Sequence, residues 1–133
     1  MKTIKLKQSI LEKIKDHAHK DSPLEACGYL GGKQNLISAI YPITNLDQST
    51  EHFTFDPKEQ FSVLKKARKQ GHKLLAIYHS HPVSAPYMSK EDMRLAYDPE
   101  ITYFIYSLLK NEIKAFQANR GKQFNEISIE VIP

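Results

Sequence analysis

The chain has one cysteine and five glycines in 133 residues, and it has no long apolar run. Each shortage excludes something. A lone Cys27 cannot form an intramolecular disulfide, and such sparing use of cysteine fits a reducing cytoplasm. A zinc deaminase pattern needs a Pro-Cys-x-x-Cys pair, which one cysteine cannot supply. A membrane-spanning helix needs roughly 20 apolar residues, and no run approaches that length. The opening segment Met1-Lys2-Thr3-Ile4-Lys5-Leu6-Lys7 alternates charge with aliphatic side chains. It lacks the apolar stretch of a signal peptide, so a cytoplasmic location away from membranes is expected. No repeat, low-complexity tract or composition shift marks a linker. One domain spanning residues 1–133 is therefore expected, long enough to build a core without structural staples. The formal charge of +4 is mild and suits an acidic protein partner or simple solubility equally well. The only dense basic cluster, Lys65 to Lys73, carries no interleaved aromatics of the kind that stack on bases, so nucleic acid is not expected as a partner.

What is present reads as helices among strands. Lys7 to about Lys20 places Ile10, Leu11, Ile14 and Ala18 at helical spacing. The runs Cys27–Leu30 and Leu36–Tyr41 read as strands joined by a turn at Gly31-Gly32-Lys33-Gln34. Asn45 to Thr50 is polar and loop-like. Asp56-Pro57-Lys58-Glu59 has Asp at the N-cap, Pro at N1 and Glu at N3, predicting a helix to about Gln70 with Gly71 ending it. Phe61, Leu64 and Ala67 are its expected apolar face. Leu74 to His79 is a buried strand, and Ser89 opens a short helix through Tyr97. Strands are predicted over 101–108, 113–117 and 124–132. This order gives an α/β (α+β) fold built around one mixed sheet.

The informative stretch is His79-Ser80-His81-Pro82, followed after six residues by Ser89-Lys90-Glu91-Asp92. In a strand His79 and His81 point to one face and Ser80 to the other. Pro82 ends the strand, and the loop through Ser84-Ala85-Pro86 gives the chain room to return with Asp92. Two imidazoles and a carboxylate without a thiolate have the make-up of a catalytic zinc site that keeps a fourth position open. Each part alone has a plainer reading. A bare His-x-His is common, and Asp92 with Ser89 also forms an N-terminal capping arrangement. The combination is much more specific than its parts. Of the other histidines, His17 and His19 do not share a helix face and are expected in solvent. His52 and His72 have no partner at ligand spacing, and Cys27 is expected to be a buried, inert thiol.

His-Ser-His-Pro, six residues, then Ser-x-x-Asp resembles the signature of the JAMM (MPN-plus) zinc metallopeptidases, matched at His79, His81, Ser89 and Asp92. The segment Pro23-Leu24-Glu25-Ala26-Cys27-Gly28-Tyr29-Leu30-Gly31-Gly32 is similar to the short prokaryotic form of the family's upstream segment, with Glu25 as the matching glutamate. Asn45, Phe53 and the strand Tyr103 to Leu108 also fall where prokaryotic members have theirs. Met88 departs from the proline many members carry before the serine.

The resemblance implies a JAMM/MPN fold, a mixed curved sheet flanked by helices and cytidine-deaminase-like in outline. It implies one Zn2+ per chain held by His79, His81 and Asp92. Glu25 would be the general acid–base, although an isolated loop glutamate is ordinarily just solvated. Ser89 would hydrogen-bond the oxygen of the tetrahedral intermediate. The implied activity is hydrolysis at the C-terminal Gly-Gly of a ubiquitin-like or ThiS-like sulfur-carrier protein, releasing cysteine or another residue. A glycine tail suits a narrow site that takes an extended peptide by strand addition. An isopeptidase removing a ubiquitin-like modifier from lysine is the alternative, and a homodimer is left open. A non-catalytic scaffold of the same fold is the reading from a different class, and the intact ligand set argues against it.

Overall fold

The alternating segment at the N-terminus is a strand. A computed structural model describes residues 2–96, 98–119 and 123–133. In it β1 (Thr3–Lys7) buries Ile4 and Leu6 and turns Thr3 and Lys5 outward. Helix α1 (Gln8–Asp21) follows at once and buries Ile10, Leu11, Ile14 and Ala18, as its spacing predicted. Then come β2 (Cys27–Lys33), β3 (Leu36–Ile43), α2 (Pro57–Lys69), β4 (Lys73–His81), α3 (Lys90–Leu95), β5 (Thr102–Ser107), β6 (Glu112–Ala118) and β7 (Phe124–Ile132). Tyr97, where the third helix was expected to end, lies outside the described residues.

The sheet runs β1-β3-β2-β4-β5-β6-β7 and closes, because β1 pairs in parallel with both β3 and β7. Strand β4 lies antiparallel to β2 and parallel to β5, setting His79 beside Cys27 on one side and Ile105 on the other. Side-chain alternation along β4 decides the layers. Ala76 and Tyr78 join the α1 cluster with Leu6, Ile14, Leu30 and Phe104. Ile77 faces the opposite clusters, formed with α2 and with the residues around α3. Gly28 permits the close packing here, since a Cβ on it would lie 2.5 Å from the Tyr41 carbonyl oxygen and 2.6 Å from the Tyr78 ring.

Three expectations need correction. The turn is not Gly31–Gln34: β2 continues to Lys33 through a register shift at Gly31/Gly32, and the chain reverses at Gln34 (φ 55°) and Asn35. A bulge absorbs the glycines that composition had assigned to a turn. In α2 the buried stripe is Val63 and Ala67, whereas Phe61 is 60% and Leu64 46% exposed. Val63 and Ala67 pack against Tyr29, Tyr41 and Ile43 and against Leu74 and Ile77 of β4, so one face of an all-round mixture is chosen by contact rather than by hydrophobicity. The Lys65 ammonium lies over the Phe61 ring, 4.7 Å from its centroid. Lastly, His17 is not free in solvent. Its Nδ1 lies 2.7 Å from the Tyr78 hydroxyl and its Nε2 3.0 Å from Asp21, an arrangement that ties α1 to β4.

The α2 cap is as expected: Asp56 accepts from the Lys58 and Glu59 amides, Pro57 opens the helix, and Gly71 (φ +72°) follows its end.

Candidate active site

Strand β4 delivers the two histidines at its C-terminal end, and the loop after Pro82 brings back the first turn of α3. His79 Nε2 and His81 Nε2 are 3.2 Å apart. Asp92 places Oδ1 3.2 Å from His79 Nε2 and Oδ2 3.1 Å from His81 Nε2. All three side chains are buried. Their donor atoms all lie within 4.8 Å of one another.

The donor set suits zinc. A tetrahedron with bonds of about 2.0 Å has edges of roughly 3.3 Å, close to the separations within this triad. The Nδ1–H of His81 donates to the Ala85 carbonyl at 2.9 Å, which turns Nε2 toward the other two groups. In the neutral ring that metal binding requires, Nε2 carries a lone pair, whereas without a metal it can carry a proton shared with Asp92. Asp92 is fixed by a capping box, in which Ser89 N–H donates to Oδ2 at 3.0 Å and Asp92 N–H donates to Ser89 Oγ at 3.0 Å. The capping role and the position beside the histidines therefore coexist. Phe53 lies against the His79 ring, with centroids 4.8 Å apart and planes tilted by 31°. Three groups of N, N and O character, buried together with convergent lone pairs, can hold one divalent ion.

Electrostatics divides the acidic residues. Burial opposes ionisation of Asp92, but hydrogen bonds from His79 and His81 outweigh it and hold the carboxyl well below the usual carboxylate range. Burial likewise pushes the His81 imidazolium down, and the Asp92 carboxylate with the Ala85 carbonyl reverses this to a net rise. Glu25 goes the other way. It lies just before β2, is 2% exposed, and its Oε1 has no hydrogen-bond partner among the described residues. Burial raises its pKa to about 8, with the Asp92 and Glu51 charges adding to this and the His81 charge opposing it. Burial and a raised pKa beside other titratable groups make Glu25 a candidate for proton transfer.

That shift carries a sign. Between the ordinary carboxyl value of 4.5 and about 8, the unfolded chain ionises Glu25 while the metal-free folded chain keeps it protonated. The unfolded state then binds fewer protons, so stability falls with rising pH across that window. Metal-free wild type is expected to lose up to about 5 kcal/mol between pH 4.5 and 8, and Glu25→Gln should remove this component. Urea unfolding of chelator-treated protein at several pH values checks it; an unchanged slope in the variant would assign the titration to another group.

An open cavity of about 470 Å³ adjoins the triad. Phe53, Phe55, Leu74, Ile77, Leu95 and Tyr103 line it, and His79 and Asp92 form part of its wall. Cys27 takes no part; it is buried, its thiol donates to the Ile43 carbonyl, and burial raises its pKa to about 12. His52 pairs with Asp47 and His72 with Tyr41, and neither belongs to the triad, although His52 lines the adjoining cavity. Missed from the sequence was the Ala85 carbonyl that orients His81, which leaves no signal beyond an ordinary loop residue; Phe53 was singled out by the resemblance, but its stack on His79 was not.

Residues 7–119 match the family described as prokaryotic homologs of the JAB domain. The chain belongs to this JAMM/MPN family of peptidases. Among curated relatives, a desampylase from Haloferax volcanii is 31% identical over 94% of this chain and 91% of its own length. A CysO-cysteine peptidase from Mycobacterium tuberculosis is 30% identical over 79% of this chain and 75% of its own. A solution structure of a protein from Desulfitobacterium hafniense superposes with a TM-score of 0.89 at 38% identity, over 97% of this chain and 92% of that one. The JAMM/MPN architecture expected from the motif is thus the observed one, and its mixed sheet curls far enough to close. Among the described residues no helix is long and apolar enough to cross a membrane.

Proposed function

We propose that this chain is a zinc-dependent peptidase that hydrolyses the amide bond after the C-terminal Gly-Gly of a ubiquitin-like or sulfur-carrier protein. The observation that carries the reading is the buried His79–His81–Asp92 triad with the buried Glu25 carboxyl near it, whose Oε1 has no partner among the described residues. His79, His81 and Asp92 would hold the ion. Zinc, when bound, supplies Lewis acidity that brings the pKa of water from 15.7 to about 7. Glu25 takes a proton from the attacking water and passes it to the leaving amine; its raised affinity for a proton suits both halves of that task. Ser89 Oγ accepts from Asp92 N–H and so retains its own proton to donate to the developing oxyanion.

The substrate class is supported by the relatives named for desampylation and for CysO-cysteine, and by the cavity's shape. The tail lies extended in the cavity beside the triad, the conformation that strand addition would also give it. Glycine at the last two positions lets the backbone approach the triad, while upstream apolar side chains fill the space lined by Phe55, Leu74 and Tyr103.

The test is a folded carrier whose Gly-Gly terminus is joined by an amide to cysteine. Cleavage after the second glycine is expected, and valine in place of the last glycine should abolish it by steric collision. The free tail peptide should be a much poorer substrate, because docking of the folded domain helps hold the tail. A lysine-linked conjugate run in parallel separates cysteine release from isopeptide cleavage. Efficient hydrolysis of unrelated short peptides, without glycine preference, would reject this substrate class.

A further inference from the structure

Ser80 lies between the two histidines and faces away from them, and neither the triad nor the cavity uses its side chain. It is 1% exposed. Its hydroxyl accepts from Ala26 N–H at 2.8 Å, and its own N–H donates to the Ala26 carbonyl at 3.0 Å. The partner is thus the residue immediately after Glu25. On the other flank, Glu25 N–H donates to the Ser49 carbonyl at 2.9 Å, and the Glu25 carbonyl accepts from Asn45 Nδ2 at 3.1 Å. Glu25 belongs to no helix or strand, so these contacts are what hold its backbone.

From this geometry we infer that Ser80 is a positioning residue for Glu25, acting through the Ala26 amide; the inference rests on the proposed role of Glu25. Helix α3 supplies Asp92, while one tripeptide of β4 supplies both histidines and anchors the Glu25 segment. Its odd positions present His79 and His81 to one face, and its even position reaches across to lock the segment that carries the acid–base group. A hydroxyl is needed because Ala26 N–H is buried and would otherwise be left without an acceptor. The carboxyl must also stay close to the water it deprotonates, and a displacement of about 1 Å can cost 10²-fold in rate.

Ser80→Ala is expected to lower kcat about ten- to a hundredfold, with KM and zinc content unchanged. The Ala26 amide should also exchange its hydrogen much faster. Ser80→Thr keeps the hydroxyl and should restore both kcat and amide protection. The deciding measurement is the double variant: in a Glu25→Gln background, Ser80→Ala should cause little further loss, because the group it positions is already disabled. Full multiplicative loss in the double variant, wild-type kcat in Ser80→Ala, or failure of threonine to rescue would each overturn the inference. If Ser80→Ala does not fold, Ser80→Cys, with only a weak sulfur acceptor, takes its place with the same readouts. Wild-type turnover in Glu25→Gln alone would instead remove the acid–base reading on which this one stands, so the two failures are distinguishable.

Discussion

Glu25→Gln is expected to reduce turnover by about 10²–10⁴ while leaving zinc content and folding at neutral pH intact. The amide preserves the volume of the side chain but cannot accept a proton from water. The structure sharpens the expectation. Oε1 of Glu25 has no partner to lose among the described residues, so replacing that atom breaks no hydrogen bond. The burial that raises the carboxyl's pKa to about 8 costs the metal-free wild type stability above pH 4.5, a penalty that glutamine does not carry. The variant should therefore be inactive and, without metal, more stable than wild type at pH 8. Steady-state kinetics, elemental analysis and denaturation curves on the same preparations check all three. Turnover equal to that of wild type would require another base.

The second large effect concerns the ligands. Protein purified without added metal is expected to carry close to one zinc per chain. His81→Ala should lose most of it, and a His79→Ala, His81→Ala double variant should lose all of it together with activity. Each imidazole supplies one of three buried donors, and His81 is also pre-set by the Ala85 carbonyl, so alanine removes both a ligand and an orienting bond. Zinc at about 1,000 times its Kd should stabilise the wild type by about 4 kcal/mol, and the double variant by nothing. Elemental analysis and thermal melts with and without chelator measure this. Full occupancy in the double variant would place the metal elsewhere.

These expectations draw unequally on sequence and structure. The His-Ser-His-Pro run made the facing of both imidazoles legible, since a strand alternates by geometry alone. Ser89 and Asp92 were legible as a cap, and the capping box is present. The Asp56-Pro57 start and the Gly71 stop of α2 are local chemistry and could be read directly. Its buried face could not be read so, because Phe61, Leu64 and Val63 are all apolar and only the neighbouring sheet chooses Val63. β1 escaped notice because five residues of alternation make a weak signal, and its role in closing the sheet depends on β3 and β7 far along the chain.

What the sequence by itself determined was the inventory and its local geometry: which side chains can bind metal, which face of β4 they take, where the helices begin, and which chemistry the single cysteine excludes. Those follow from backbone periodicity and from interactions within a few residues. Only the tertiary structure decided that Asp92 meets both histidines, that Glu25 is buried near them, and that Ser80 holds the segment beside Glu25. These contacts join positions 11 to 54 residues apart. They exist because the sheet pairs β2 with β4 and returns the chain after Pro82, and burial in that closed arrangement, which no local pattern encodes, is what raises the pKa of Glu25.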